Sequence, residues 1–175
     1  LLKKAKEEQW TRIAGTDFGS NFWDGCFMFD RDRKIWYLYH EYWYSSEHDL
    51  TLKDHATNIR TKDPLVFSSN SARYGDPTAR QAIVDMEDYG VPIFQANNDV
   101  YTGISYIKLL FRVRPDGYPG LRIFSTCVRA RFELSKGYKH PIMKDGTPNT
   151  DLVVKKDDHA VDGIRYALYS HKTIG

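Results

Sequence analysis

Asp17, Asp76 and Asp158 are the acidic residues whose surroundings single them out. Asp17 sits in Gly15-Thr-Asp-Phe-Gly19, at the end of a β-forming stretch that starts at Trp10. Asp76 lies in Gly75-Asp-Pro77, where the proline suits the first turn of a following helix. Asp158 falls in the first turn of the last helical stretch, Asp157-Asp-His-Ala-Val-Asp-Gly-Ile-Arg-Tyr166. Strand ends and helix starts along one sheet edge are where α/β folds gather functional groups. Carboxylates brought together there repel one another, and each resists ionisation. Hard cations such as Mg²⁺ or Mn²⁺ remove that conflict, because they take oxygen ligands and leave room for water and phosphate. Two such ions about 4 Å apart can hold both the attacking and the leaving oxygen of a phosphodiester displacement. Each acid also has an ordinary explanation. Asp17 could be a turn residue, Asp76 an N-cap, and Asp157 and Asp158 complements to a helix dipole. Composition and spacing leave both explanations open.

The segments that carry these acids alternate in type. Residues 1–9 read as a charged helical linker or N-terminal extension, and residues 10–175 as one domain. Strands are expected over 10–19, 25–29 and 34–44, with gaps short enough for an antiparallel meander. A helix over 46–61, with Leu50, Leu52, Ala56 and Ile59 facing inward, ends before Pro64. A short apolar strand at 65–67 and a loop over 68–74 then deliver Asp76. Next come a helix at 78–89 closed by Gly90, a strand at 91–94, and a helix at 99–114 capped by Asp99. A strand at 121–124 precedes a helix that ends near Gly137, and a basic hairpin loop over 138–154 leads into the last helix, 157–171. A meander followed by alternating helices and strands makes an α/β domain with a mixed sheet flanked by helices.

Composition excludes several classes. The 175 residues carry 25 Lys+Arg against 23 Asp+Glu, a net charge of +2 that announces no general nucleic-acid binder. Cys26 and Cys127 are the two cysteines and form no CxxC pair, so neither a disulfide scaffold nor a structural zinc site is expected. No apolar run approaches the roughly 18 residues of a membrane span, and no signal segment opens the chain. A GxxxxGK[ST] phosphate loop is absent. The opening at Leu1 rather than Met reads as a piece of something longer. His48 and His55 lack a third nitrogen ligand, and His159 is not read as a base. The aromatic run Trp36, Tyr37, Tyr39, Tyr42, Trp43 and Tyr44 reads as sheet packing.

The motifs together resemble the C-terminal nuclease domain of the large terminase subunit of tailed bacteriophages, a ribonuclease H-like fold. Gly15-Thr-Asp-Phe-Gly19 is similar to that family's first-strand motif, and Arg73-Tyr-Gly-Asp-Pro77 to its second-site motif. Asp158-His-Ala-Val-Asp-Gly-Ile-Arg-Tyr166 resembles the closing DHxxDAxRY signature, with Gly163 in place of alanine at about 1 kcal/mol of helix propensity. The resemblance spans about residues 10–171.

It implies that Asp17, Asp76 and Asp158 are catalytic carboxylates holding two Mg²⁺ or Mn²⁺ ions. Asp162 would be a further ligand, a group behind the ligands, or the partner of an arginine such as Arg165, and one of the neighbours Asp157 and Asp158 must turn away. Asp24 reads as a solvated turn residue or a further acid near the metals. Phosphate-binding cations are expected in the loop bearing Lys139, His140, Lys144, Lys155 and Lys156, with Arg73 as another candidate. The implied activity is cleavage of double-stranded viral DNA concatemers during genome packaging, in the host cytoplasm. The implied partners are DNA, an ATPase domain earlier in the same chain, the small terminase subunit and the portal protein. The alternatives are another nuclease of the same fold, such as a junction resolvase, and a non-catalytic DNA-binding module.

Overall fold

Buried aromatic and aliphatic residues, interrupted by short polar turns, lay down the first half of the sheet. The computed structural model describes residues 1–65, 71–137, 143–147 and 157–174. Strands β1 (Thr11–Asp17), β2 (Phe22–Asp30) and β3 (Ile35–Tyr44) form the expected meander. β2 starts earlier than the sequence suggests, because Phe22 and Trp23 are buried and pair with Tyr44 and Trp43. Three short strands run parallel to their neighbours: β4 (Ala72–Gly75) beside β1, β5 (Phe94–Gln95) beside β4, and β6 (Leu121–Ile123) beside β3. The order across the sheet is β5-β4-β1-β2-β3-β6.

β4 corrects an expectation. Residues 71–74 carry serine, arginine and tyrosine and read as loop, yet Arg73 and Tyr74 are buried in a strand. An arginine can occupy a central strand only with its charge matched inside the protein, and that match is invisible to local patterning. The apolar run at 65–67 lies mostly outside the described residues.

Helices cover both faces. On one face α4 (Val100–Phe111), α5 (Val128–Phe132) and α6 (His159–Thr173) pack Ile107, Ala130, Ile164, Ala167 and Leu168 against Ile13, Trp23, Phe27 and Leu38. The other face takes α1 (Leu2–Glu7), whose Ala5 is buried beside Trp10 and Cys26. It also takes α2 (Leu52–Lys62) and α3 (Arg80–Asp88), which pack Ala56, Ile59, Ile83 and Met86 around Phe22 and Tyr42. Local signals set several boundaries. Asp99 accepts the Thr102 N–H at 3.0 Å to start α4, and Gly90, at φ +83°, follows α3. The helix expected from residue 46 splits into a single 3₁₀ turn, Ser46–His48, and α2, which opens at a Thr51–Asp54 capping box. α5 passes into a π turn at Glu133–Gly137. Trp36, Tyr37, Tyr39 and Tyr42 are buried in the sheet. Both cysteines are buried thiols, and no helix among the described residues is long and apolar enough to cross a membrane.

Candidate active site

Strand register puts the first two acids at the ends of neighbouring strands. β1 and β4 run parallel with Thr16 opposite Gly75, and Asp17 and Asp76 are the residues that follow this last pair on the two strands. Adjacent strands lie about 4.8 Å apart. The start of α6 is pressed onto the same place by a close backbone approach. A methyl group on Gly15 would lie 1.9 Å from the Gly163 carbonyl oxygen, and one on Gly163 would lie 2.3 Å from the Trp23 indole. The glycine that departs from the resembled signature is therefore what lets this helix lie against β1 and β2. It sets Asp158, the N-cap residue, and Asp162, in the first turn, beside the strand ends.

Electrostatics ties the acids into one field. Burial raises the Asp17 carboxyl to about 6, opposed by a hydrogen bond with His159 and reinforced by the charges of Asp162 and Asp158. His159 Nδ1 lies 2.8 Å from Asp17 Oδ2, and that bond raises the imidazole above its ordinary value against the effect of burial. The same ring approaches Asn21 Nδ2 at 3.4 Å and sits 5.6 Å from the Trp43 ring. Tyr166 is pushed up by burial first, with the charges of Asp162 and Asp76 adding to the effect. Carboxylates from β1, the β4–α3 turn and α6 thus act on shared neighbours.

Each acid is held differently. Asp76 Oδ1 accepts the Thr78 N–H and hydroxyl, both at 2.8 Å, which makes a local turn; the N-cap of α3 is Ala79. Asp162 Oδ1 accepts from Arg165 at 3.2 Å. Arg165 is buried, donates to Asn98 at 3.2 Å, lies 4.7 Å over the Tyr166 ring, and crosses α4 where Gly103 leaves no room for a methyl group. Of the neighbours Asp157 and Asp158, the first turns away and accepts from Arg129 at 2.9 Å, with its backbone at φ +53°. Among the described residues no three His, Cys, Asp or Glu side chains form a ready-made metal-ligand group. The donor chemistry nevertheless suits a hard cation: carboxylate oxygens, with Asp17 partly desolvated and raised further by the charges of Asp162 and Asp158.

Two candidates are corrected. Arg73 is 1% exposed and its guanidinium pairs with Asp24, so it faces the sheet interior rather than a DNA backbone. Asp24 is not a solvated turn, and it faces away from Asp17. It lies inside β2, accepts the Thr16 hydroxyl at 2.6 Å, and points to the sheet face opposite Asp17. Lys144 sits in an exposed turn, whereas Lys139, His140, Lys155 and Lys156 lie outside the described residues. His55 stacks on Phe22 and bonds the Tyr42 hydroxyl at 2.8 Å, as a core histidine does. Sequence reasoning missed the His159–Asp17 bond. Its signal was the place of His159 directly after Asp158, at a helix start facing β1.

No protein-family model matches the sequence, and no curated protein sequence matches it. Several solved structures do match in three dimensions. The chain is similar to the large terminase from a thermophilic bacteriophage, with a TM-score of 0.73 and 19% identity over 94% of this chain and 40% of that one. It is also similar to the g2p (large terminase) nuclease domain from bacteriophage SPP1 with bound Mn, at a TM-score of 0.70 and 17% identity over 95% of this chain and 89% of that one. The P22 large terminase nuclease domain matches at 0.68 and 21% identity, over 93% of this chain and 81% of that one. The mixed sheet and its flanking helices are a ribonuclease H-like fold. More particularly, the fold is that of large terminase nuclease domains. The chain spans about 40% of the length of the thermophilic phage's large terminase.

Proposed function

We propose that this chain is the nuclease domain of a phage large terminase, a metal-dependent endonuclease that cuts double-stranded DNA concatemers during genome packaging. The observation that carries this reading is the placing of Asp17 and Asp76 just past the last paired residues of neighbouring strands, with the start of α6 laid against Asp17 through His159. The fold likeness supports it, as do relatives whose structures hold manganese or cobalt.

Asp17, Asp76 and Asp158 would hold two Mg²⁺ or Mn²⁺ ions. When bound, such ions lower the pKa of a water nucleophile and stabilise the leaving oxygen of a phosphodiester. The chain's other residues prepare that site. His159 orients the Asp17 carboxylate through its 2.8 Å bond, and Arg165 steadies Asp162 behind the strand ends. Lys139, Lys144, Lys155 and Lys156 would meet DNA phosphates, which position the duplex without specifying its sequence. By the same reading, an ATPase domain precedes this one in the full-length chain. The small terminase subunit and the portal would be its partners in the host cytoplasm.

Supercoiled plasmid incubated with the protein and Mn²⁺ or Mg²⁺ tests the reading. Nicked and linear products are expected from the native chain and not from Asp158→Ala. No cleavage at any metal concentration would leave a DNA-binding module, and a preference for four-way junctions over linear duplex would point to a resolvase. Divalent metal should also raise the melting temperature, by the equivalent of about 2.7 kcal/mol at a hundredfold excess over Kd. The rise should shrink in Asp17→Asn and Asp76→Asn.

A further inference from the structure

The start of α6 is capped by a residue from another element. Asp158 occupies the N-cap position, where an aspartate ordinarily accepts the N–H groups two and three residues on. Its side chain makes no such bond. Those two donors, Ala160 N–H and Val161 N–H, are taken at 2.7 and 3.2 Å by a single carboxylate oxygen, Glu133 Oε2. Glu133 is fully buried, and its other oxygen accepts from Arg129 Nε at 2.6 Å. The same guanidinium reaches Asp157 at 2.9 Å, so Arg129 holds both the capping carboxylate and the residue just before Asp158.

Behind this cap lies a second one. Glu41, on β3, accepts the backbone N–H groups of Arg129 and Ala130 at 2.8 and 2.7 Å and the Trp23 indole N–H at 3.0 Å. A rigid path therefore runs from the sheet through Glu41 to the start of α5, and from α5 through Glu133 to the start of α6. A helix start that carries reacting groups gains precision when its orphan donors are fixed by the surrounding structure.

We infer that Glu133 is a positioning residue of the nuclease site: it caps α6 in place of Asp158, and thereby sets where Asp158 and His159 stand relative to Asp17. The inference rests on the proposed metal-dependent cleavage and deepens it. Glu133 touches neither substrate nor metal in this scheme. It acts through the backbone of α6.

Two variants of the 175-residue chain separate this role from a structural one. Glu133→Leu removes both acceptors, whereas Glu133→Gln keeps an oxygen for the two N–H groups. In the metal-free protein, the Ala160 and Val161 amides should exchange with solvent faster in the leucine variant and near the native rate in the glutamine variant. In cleavage assays the Mn²⁺ concentration for half-maximal rate should rise about tenfold or more in the leucine variant, the usual effect of losing a group behind metal ligands. The rate at saturating Mn²⁺ should stay near native, and glutamine should restore the half-maximal concentration. If Glu133→Leu does not melt cooperatively, Glu133→Asp, one methylene short of both donors, takes its place with the same expectation. Native exchange together with a native Mn²⁺ requirement in the capless variant overturns the inference. So does a glutamine variant as impaired as leucine, which would place the effect in the charge and the Arg129 bond rather than in the cap. A native chain that never cleaves DNA defeats the proposed function instead, and amide exchange then still decides whether Glu133 is the cap.

Discussion

Asp17 and Asp24 are buried carboxylates on neighbouring antiparallel strands, and the two faces of the sheet give them opposite surroundings. Asp24 has the Arg73 guanidinium and the Thr16 hydroxyl against it, in a layer closed off by Cys26, Tyr39 and Asp63. Asp17 has one imidazole, and the charges of Asp162 and Asp158 add to the burial that pushes its carboxyl up to about 6. The first arrangement spends its charge on holding strands together. The second keeps like charges close to one another at a sheet edge, which stabilises nothing by itself and is useful where a cation can enter. Between these two carboxylates the difference is the guanidinium against Asp24 and the acids that act on Asp17.

The largest expected effects come from exchanging those roles. Asp17→Asn should lower the cleavage rate more than about 100-fold, beyond the roughly 10–100-fold range of groups behind the ligands, while leaving the fold intact by circular dichroism. Arg73→Met should do the reverse. Stranding Asp24 without its partner should cost about 3–5 kcal/mol in urea unfolding, and adding Asp24→Leu should recover much of that loss. An Arg73 variant of native stability would remove the distinction between the two faces.

A smaller effect probes the contact that seats α6. Gly163→Ala gains about 1 kcal/mol of helix propensity but drives a methyl group into the fully buried Trp23 indole. Overpacking of that kind costs about 1–3 kcal/mol, so a net loss of stability is expected, with partial rescue by Trp23→Leu. The smallest effect concerns the face away from the acids. Burial on Phe22 lowers His55 from its usual 6.5, so the unfolded chain takes up that proton more readily than the folded one. Its contribution to stability is present above about pH 6.5 and is lost as pH falls below it. His55→Leu should therefore flatten the acid limb of a stability–pH profile measured by urea unfolding.

Much of this was legible where the cause is local. Asp99 and Thr102 start α4, Gly90 follows α3, and the alternating strands of the meander announce themselves within a few residues. β4 was not legible, because Arg73 looks like a surface residue until Asp24 appears 49 positions away in sequence. Nor was the tie between Asp162 and Arg165 separable from a ligand role by their spacing on one helix. The cap that Glu133 gives to α6 links residues 27 apart across two helices and leaves no periodic trace.

By itself, then, the amino-acid sequence determined the meander, most of the later helices, and which aspartates sit at the ends of elements, because those follow from short-range propensity and from motifs a few residues long. Tertiary structure alone decided which acids meet and which are neutralised. That choice depends on strand register, on a backbone approach between Gly15 and Gly163 that admits no side chain, and on partners contributed by distant elements. Burial and charge pairing are properties of the assembled neighbourhood, and they separate a carboxylate paired inside the sheet from one that stands beside other acids at a strand end.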